Sequence, residues 1–228
     1  MNVVVFGAVL TNPLTFVTDI SLALICATLV ARLRAVSLGQ PYRFSLWFFV
    51  LLGASTAIGG IAHLLSWYLG PGAHYLAWLI NGLSVFVAEI GATSLVRRRE
   101  VQRGLLVLAA IRYLLFAYLV LRSGRFLWVG LHAAFGFIVV ISTIHIVHSL
   151  RSRDRTYLVA PLASFIMLIP AATHALNVHL GPTIDRNVVS HLLLVPAFYL
   201  LARAFGREHP SMDYSFTPPA ERPPTSRF

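Results

Sequence analysis

Apolar residues in this chain neither alternate nor form a narrow stripe. They run on for about twenty positions at a time, seven times over, with short polar breaks between. The runs cover approximately 13–32, 44–69, 74–96, 103–121, 126–148, 156–179 and 186–205. Roughly 20 helical residues cross about 30 Å of hydrocarbon, so each run predicts a transmembrane α-helix. Membrane strands are excluded, because the runs are too long and lack period-two alternation. The predicted fold is an all-α polytopic membrane bundle of about seven helices over residues 1–205. Residues 206–228 are rich in Pro, Ser and charge and predict a disordered tail. Met1 to Asn12 is apolar without a basic n-region, which argues against a cleaved signal peptide and allows a short interfacial helix.

Charge fixes the expected orientation. Arg32, Arg34, Arg43, Arg97, Arg98, Arg99, Arg103, Arg151, Arg153, Arg155 and Arg207 fall on one side of the bilayer. Arg122, Arg125 and Arg186 fall on the other. The positive-inside rule places the first set and the C-terminus in the cytoplasm, with the N-terminus outside. The expected location is a bacterial inner (cell) membrane. The net charge of +10 is accounted for by these span ends, and no nucleic-acid partner is expected, since the arginines form no basic face or RNA-binding motif.

Composition narrows the chemistry. Only 11% of the 228 residues are charged, against about a quarter in a soluble domain. Cys26 is the only cysteine, which excludes an intramolecular disulfide and a Cys-based zinc site. The chain has no lysine, which excludes a retinal Schiff base.

Ionisable residues inside spans are costly, so they mark function by default. Counted from the outer ends of the predicted helices, Asp19, His63, Asn81, His132, His174 and His191 all fall about 8–10 Å deep. They come from six different spans. Ser55, Gly59 and His63 share a helix face, as do Thr15 with Asp19 and Asn187 with His191. Imidazoles converging with a carboxylate in an apolar bundle suit a transition metal. A structural hydrogen-bond layer and a proton or solute pathway are the competing readings. Glu89 and Arg112 predict a buried ion pair between adjacent spans. His145 and His148 are expected at the inner interface on another face. His74, His179 and Asp185 are assigned to outer loops or helix edges. Pro161, Pro170 and Pro196 are expected to kink their spans and open room for a cavity.

On this seven-span arrangement with intramembrane His and Asp, the chain resembles the CREST superfamily of alkaline ceramidases and adiponectin/progestin-type receptors. That family carries Ser-x3-His on its second span, where this chain has Gly59 and His63. On the seventh span it carries His-x3-His, where this chain has Asn187 and His191. The resemblance implies zinc-dependent hydrolysis of a lipid amide or ester near the outer leaflet. His63, His132, His174 and His191 are then the expected metal ligands, and Asp19, Asn81 and Asn187 the catalytic groups. Membrane lipid is the expected partner and substrate. Iron or haem held by histidine, in an oxidoreductase or oxygenase, and a non-enzymatic transporter or sensor with a protonatable His layer are the alternatives.

Overall fold

The computed structural model describes residues 2–5, 8–36, 40–181 and 184–205. The predicted tail 206–228, and Arg207 in the charge pattern, lie outside the described residues.

Seven helical segments are long and apolar enough to cross a membrane, namely Pro13–Ala35, Arg43–Leu64, Ala73–Thr93, Arg99–Ser123, Leu127–Ser152, Arg155–His174 and Arg186–Phe205. In finer detail the first four are α1 (Pro13–Val36), α2 (Gln40–Leu64), α4 (Ala73–Thr93) and α5 (Arg99–Ser123), with a one-turn α3 (Ser66–Leu69) between α2 and α4. The fifth segment is composite. It runs from α6 (Leu127–Ala134) through a π-helical stretch (Phe135–Ile141) into α7 (Ser142–Ser152). The sixth joins a 3-10 turn (Arg155–Leu158) to α8 (Val159–Ile166) and α9 (Leu168–Ala175), and α10 (Arg186–Phe205) is the seventh.

The surface and the interior divide as a bilayer requires. On α5 the exposed positions include Val107, Leu108, Ile111, Leu114, Leu115, Tyr118 and Leu121. The buried positions of the bundle include Asp19, Ser55, Ser84, Glu89, His132, Ser142, Ser164 and Ser190. In hydrocarbon a polar side chain must find its partners inside the protein, while an apolar one can face lipid at no cost. The apolar core joins Leu22, Cys26 and Leu29 of α1 to Phe48, Phe49 and Leu52 of α2, Val85 and Ala88 of α4, Phe137 and Ile141, Ala160 and Ala163 of α8, and Phe198 and Leu201 of α10. Phe48 makes edge-to-face contacts with both Phe49 and Phe137, at 4.8 and 5.8 Å between centroids.

Three local departures from the sequence reading matter for the site. First, the described residues of the first twelve, 2–5 and 8–12, hold two strands and not an interfacial helix. Asn2–Val5 (β1) and Ala8–Thr11 (β2) pair as an antiparallel hairpin, Asn2 opposite Thr11. Its β-branched run favours extended backbone over helix. Second, the second helix stops at Leu64 rather than near residue 69, and α3 follows as a separate turn. Thr11 Oγ1 donates to the carbonyl oxygen of His63 at 2.5 Å, with that of Leu64 a longer second acceptor at 3.2 Å, and so accepts from the Ser66 hydroxyl at 2.5 Å; the strand pair thereby serves an orphan acceptor at the end of α2. Third, the sixth segment breaks at Met167. Pro170 lacks the N–H that would bond Ile166, and the interruption falls there. By contrast, Pro196 sits within α10 with the helix assigned continuously around it, and Pro161 lies in the first turn of α8.

Candidate functional site

A cavity of about 500 Å³ lies among α1, α2, α4, α6, α8, α9 and α10. Its wall is apolar over much of its extent, including Leu22, Phe48, Leu52, Val85, Phe137 and Phe198. Six of the seven site residues expected from sequence, Asp19, His63, Asn81, His174, Asn187 and His191, line it. His63 is the penultimate residue of α2 and His174 that of α9, so both sit at helix ends and not a turn or more inside them. Counted from the observed helix ends, these two stand one residue in, where the predicted spans put them five or six in.

The α1–α10 contact is the most defined part. The Thr18 hydroxyl donates to the Thr15 carbonyl at 2.9 Å, which uses its one proton. Its oxygen stands 2.9 Å from Nδ1 of His191, so that contact requires Nδ1 to be the donor. Nε2 of His191 is then left with its lone pair, and it faces Oδ1 of Asp19 at 3.5 Å. Two acceptors pointed at each other are repulsive unless a positive charge lies between them. Asp19 is 4% exposed, and its Oδ2 is buried without a hydrogen-bond partner among the described residues. Gly60 of α2 makes this closeness possible, since a Cβ there would stand 2.9 Å from the Cβ of Asp19.

The remaining imidazoles surround this pair. His63 and His74 lie with ring centroids 4.5 Å apart, and His63 is close enough to interact electrostatically with His191 and His174 as well. His174 packs on Phe126 at 4.5 Å and is contacted by the Asn187 side chain. Asn187 also reaches Asp185 Oδ2 at 3.4 Å, so its place is beside His174 and not free in the cavity. His74 was assigned by sequence to an outer edge, yet it lines the cavity. The missed signal was spacing. His74, Trp78 and Asn81 recur at i, i+4 and i+7 on α4, the same face that carries Ala77 and Ser84 into the wall.

His132 is the residue that the structure takes away from the set. Nη1 of Arg112 approaches its Nδ1 at 3.1 Å and donates to its backbone carbonyl at 2.7 Å. A guanidinium only donates, so Nδ1 accepts and Nε2 carries the proton, which it gives to the Gly82 carbonyl at 3.1 Å. Both ring nitrogens are occupied, and the ring stacks on Phe116 at 4.4 Å. In this arrangement His132 belongs to a polar network, and neither ring nitrogen is free for a metal. Glu89 completes that network as the ion-pair partner of Arg112, the pairing predicted from sequence. His145 and His148 lie elsewhere, against Tyr157 at 6.4 and 4.3 Å.

Among the described residues, no three His, Cys, Asp or Glu side chains already stand together as a metal-holding group. Asp19 Oδ1 and His191 Nε2 do stand at a ligand-to-ligand distance. Two ligands of one tetrahedral ion, each about 2.1 Å from it, are about 3.4 Å apart. Their 3.5 Å spacing matches this, and it is longer than an N–H···O hydrogen bond prefers. An imidazole that ligates a metal usually donates its other N–H to a fixed oxygen, the part Thr18 plays for His191. The donor set therefore fits a divalent metal if one or more of His63, His74 and His174 turns its ring toward the pair. Thr18→Val should lower metal affinity about 10- to 100-fold while leaving the bundle folded, which metal titration beside circular dichroism will measure.

The sequence pattern of a family described as "Family of unknown function (DUF6962)" matches residues 14–209. No curated protein and no solved structure matches the chain.

Proposed function

The chain belongs to that family of unknown function, and we propose that it is an integral membrane hydrolase that uses a divalent metal, zinc first among them, to cleave an amide or ester bond of a lipid. The observation that carries this reading is the Asp19–His191 pair, two acceptors at ligand spacing, with Thr18 fixing the imidazole from behind. The resemblance to the CREST superfamily points the same way.

The reaction adds water across an acyl bond, releasing a fatty acid and an amine or alcohol. A zinc ion held there would supply a water acidified to a pKa of about 7 and a Lewis acid for the acyl carbonyl. His191 and Asp19 Oδ1 would hold it, with His63, His74 and His174 as the remaining donors. The chain's own groups do the rest. Oδ2 of Asp19 is the free acceptor that takes the proton from water. Asn81, on the α4 wall, offers an amide N–H to the substrate carbonyl. Asn187 orients His174. The apolar body of the cavity accepts the acyl chain and excludes bulk water. Metal analysis of protein purified without chelators, together with fatty-acid release from a panel of acyl amides and esters, tests the reading. Stoichiometric zinc with release supports it, and absence of any metal overturns it.

The arginine distribution supports an orientation with the hairpin and the cavity histidines on the outer side. In a Cys26→Ala background, a cysteine at exposed Gly72 should react with an impermeant thiol reagent added to intact cells, and one at exposed Ser152 should not. The opposite labelling reverses the orientation.

A further inference from the structure

Arg186 is the one Lys or Arg in the cavity wall among the described residues. It opens α10, and its face continues into the site. Arg186, Asn187, Ser190, His191, Leu194 and Phe198 all line the cavity. At 100° per residue they share a sector of about 140° of the helix. This one face reads from a permanent cation, through the polar residues beside Asp19, to an apolar floor. His191 lies about 7.5 Å along the axis from Arg186, and Phe198 about 10.5 Å beyond His191.

Among the described residues, no carboxylate stands at ion-pair distance from the guanidinium. Its Nη1 donates to the neutral amide of Asn177, at 2.9 Å from Oδ1. The neighbouring carboxylate, Asp185, is occupied at the start of the helix. Its Oδ1 accepts from the backbone N–H groups of Asn187 and Val188 at 3.0 Å each, and its Oδ2 from the Asn187 amide at 3.4 Å. A guanidinium with unused donors in the wall of a cavity is suited to a carboxylate or phosphate, which it can bind in bidentate fashion. His174, within electrostatic reach of Arg186, adds a second polar group to the wall.

We propose that Arg186 receives an acidic group, carboxylate or phosphate, on the leaving-group side of a single-chain acyl lipid, about 7.5 Å from the bond that is cut. The proposal rests on the hydrolase reading for where the bond lies. The acyl chain runs the other way, past Leu194 to Phe198. The substrate class is thus an acyl amide or ester whose head carries a negative charge a few bonds beyond the scissile carbonyl.

The test uses the full chain in nanodiscs of phosphatidylcholine, which present no anionic lipid in competition. Three radiolabelled probes share one acyl chain: N-palmitoyl-γ-aminobutyrate, the phosphate ester of N-palmitoylethanolamine, and neutral N-palmitoylethanolamine. Equilibrium binding should favour one or both acidic probes over the neutral one by about 10- to 100-fold. The tighter of the two identifies carboxylate or phosphate. Arg186→Gln should remove the preference and Arg186→Lys should keep part of it. Equal binding of all three probes to the parent protein overturns the proposal, whether or not any variant folds. So does a preference that survives Arg186→Gln. Palmitate release is read separately. Acidic preference through Arg186 without release from any probe, or from the oxygen-ester counterpart of each, leaves the anion site standing and removes the hydrolase reading. Release with no acidic preference does the reverse.

Discussion

Asp19→Asn, purified without chelators in mild detergent, should retain its helical content, lose metal, and release fatty acid about 100- to 10,000-fold more slowly than the parent. The loss combines two changes. A neutral amide is a weaker ligand than the carboxylate Oδ1, and it offers no basic oxygen in place of Oδ2. His191→Ala should lose metal at least as completely, because it also removes the imidazole that Thr18 holds in its tautomer. Binding and bundle stability are linked, so both variants should melt earlier than the metal-loaded parent and at the same temperature as the metal-stripped one. His148→Ala serves as the control, since that ring packs on Tyr157 and is no part of the cavity wall. If Asp19→Asn keeps full metal and loses only activity, Asp19 is a base and not a ligand. If the parent carries no zinc, iron or haem, the metal reading ends, and Thr18, His191 and Asp19 are left as a proton path.

Glu89→Gln or Arg112→Met alone should lower stability by about 3–5 kcal/mol, since either leaves the other charge buried without its counter-ion. Glu89 is 0% exposed and Arg112 is 14% exposed at the side chain, so little solvent is there to replace a lost partner. Replacing both with Met should cost less than the sum of the two. Unfolding in mixed micelles measures all three, and a double variant as damaging as the summed singles would mean the pair contributes no coupling. The site is tightly built. A Cβ on Gly136 would stand 2.4 Å from Val85 Cγ1 and 2.7 Å from Glu89 Oε1, so Gly136→Ala should disturb the same network.

The bundle was legible because lipid imposes one rule along the whole chain: apolar runs of spanning length with charge at their ends. The Glu89–Arg112 pair was legible for a related reason, since two opposite charges inside adjacent spans have no other inexpensive arrangement. Six of the polar residues of the cavity wall were singled out because they stand inside or at the ends of apolar spans, as Asp19 and His191 do. What failed depended on reach and on helix ends. His132 looked like a further ligand because sequence gives no measure of how far Arg112 extends. That guanidinium spans from Glu89 to both the ring and the carbonyl of His132. His74 was set aside because it opens the third apolar run and so reads as a helix edge, and the sequence gives no sign that the cavity extends to the start of α4. The hairpin was hidden by its hydrophobicity, which speaks for burial without distinguishing four paired residues from a turn of helix.

The π-helical stretch between His132 and His145 acts as a phase shifter. Along Phe135–Ile141 the backbone bonds reach one residue further than in an α-helix, as in the Ser142 N–H to the Phe137 carbonyl. About one residue is therefore carried in excess of what the turn needs. Above it, α6 is keyed by Arg112 and Gly82 to α4 and α5. Below it, His145 is keyed to Tyr157 and Phe205, at 6.4 and 6.5 Å. If Phe135–Ile141 closed in α-helical register at its present length, Ser142, His145 and Ser149 would turn by about 100° against His132, whereas deleting one outward residue, such as exposed Val139, would take up the surplus and leave them in place. As a regular α-helix of this length, each half of the span could meet its neighbours only at the expense of the other, so the π turn is what lets a single helix keep both sets of contacts.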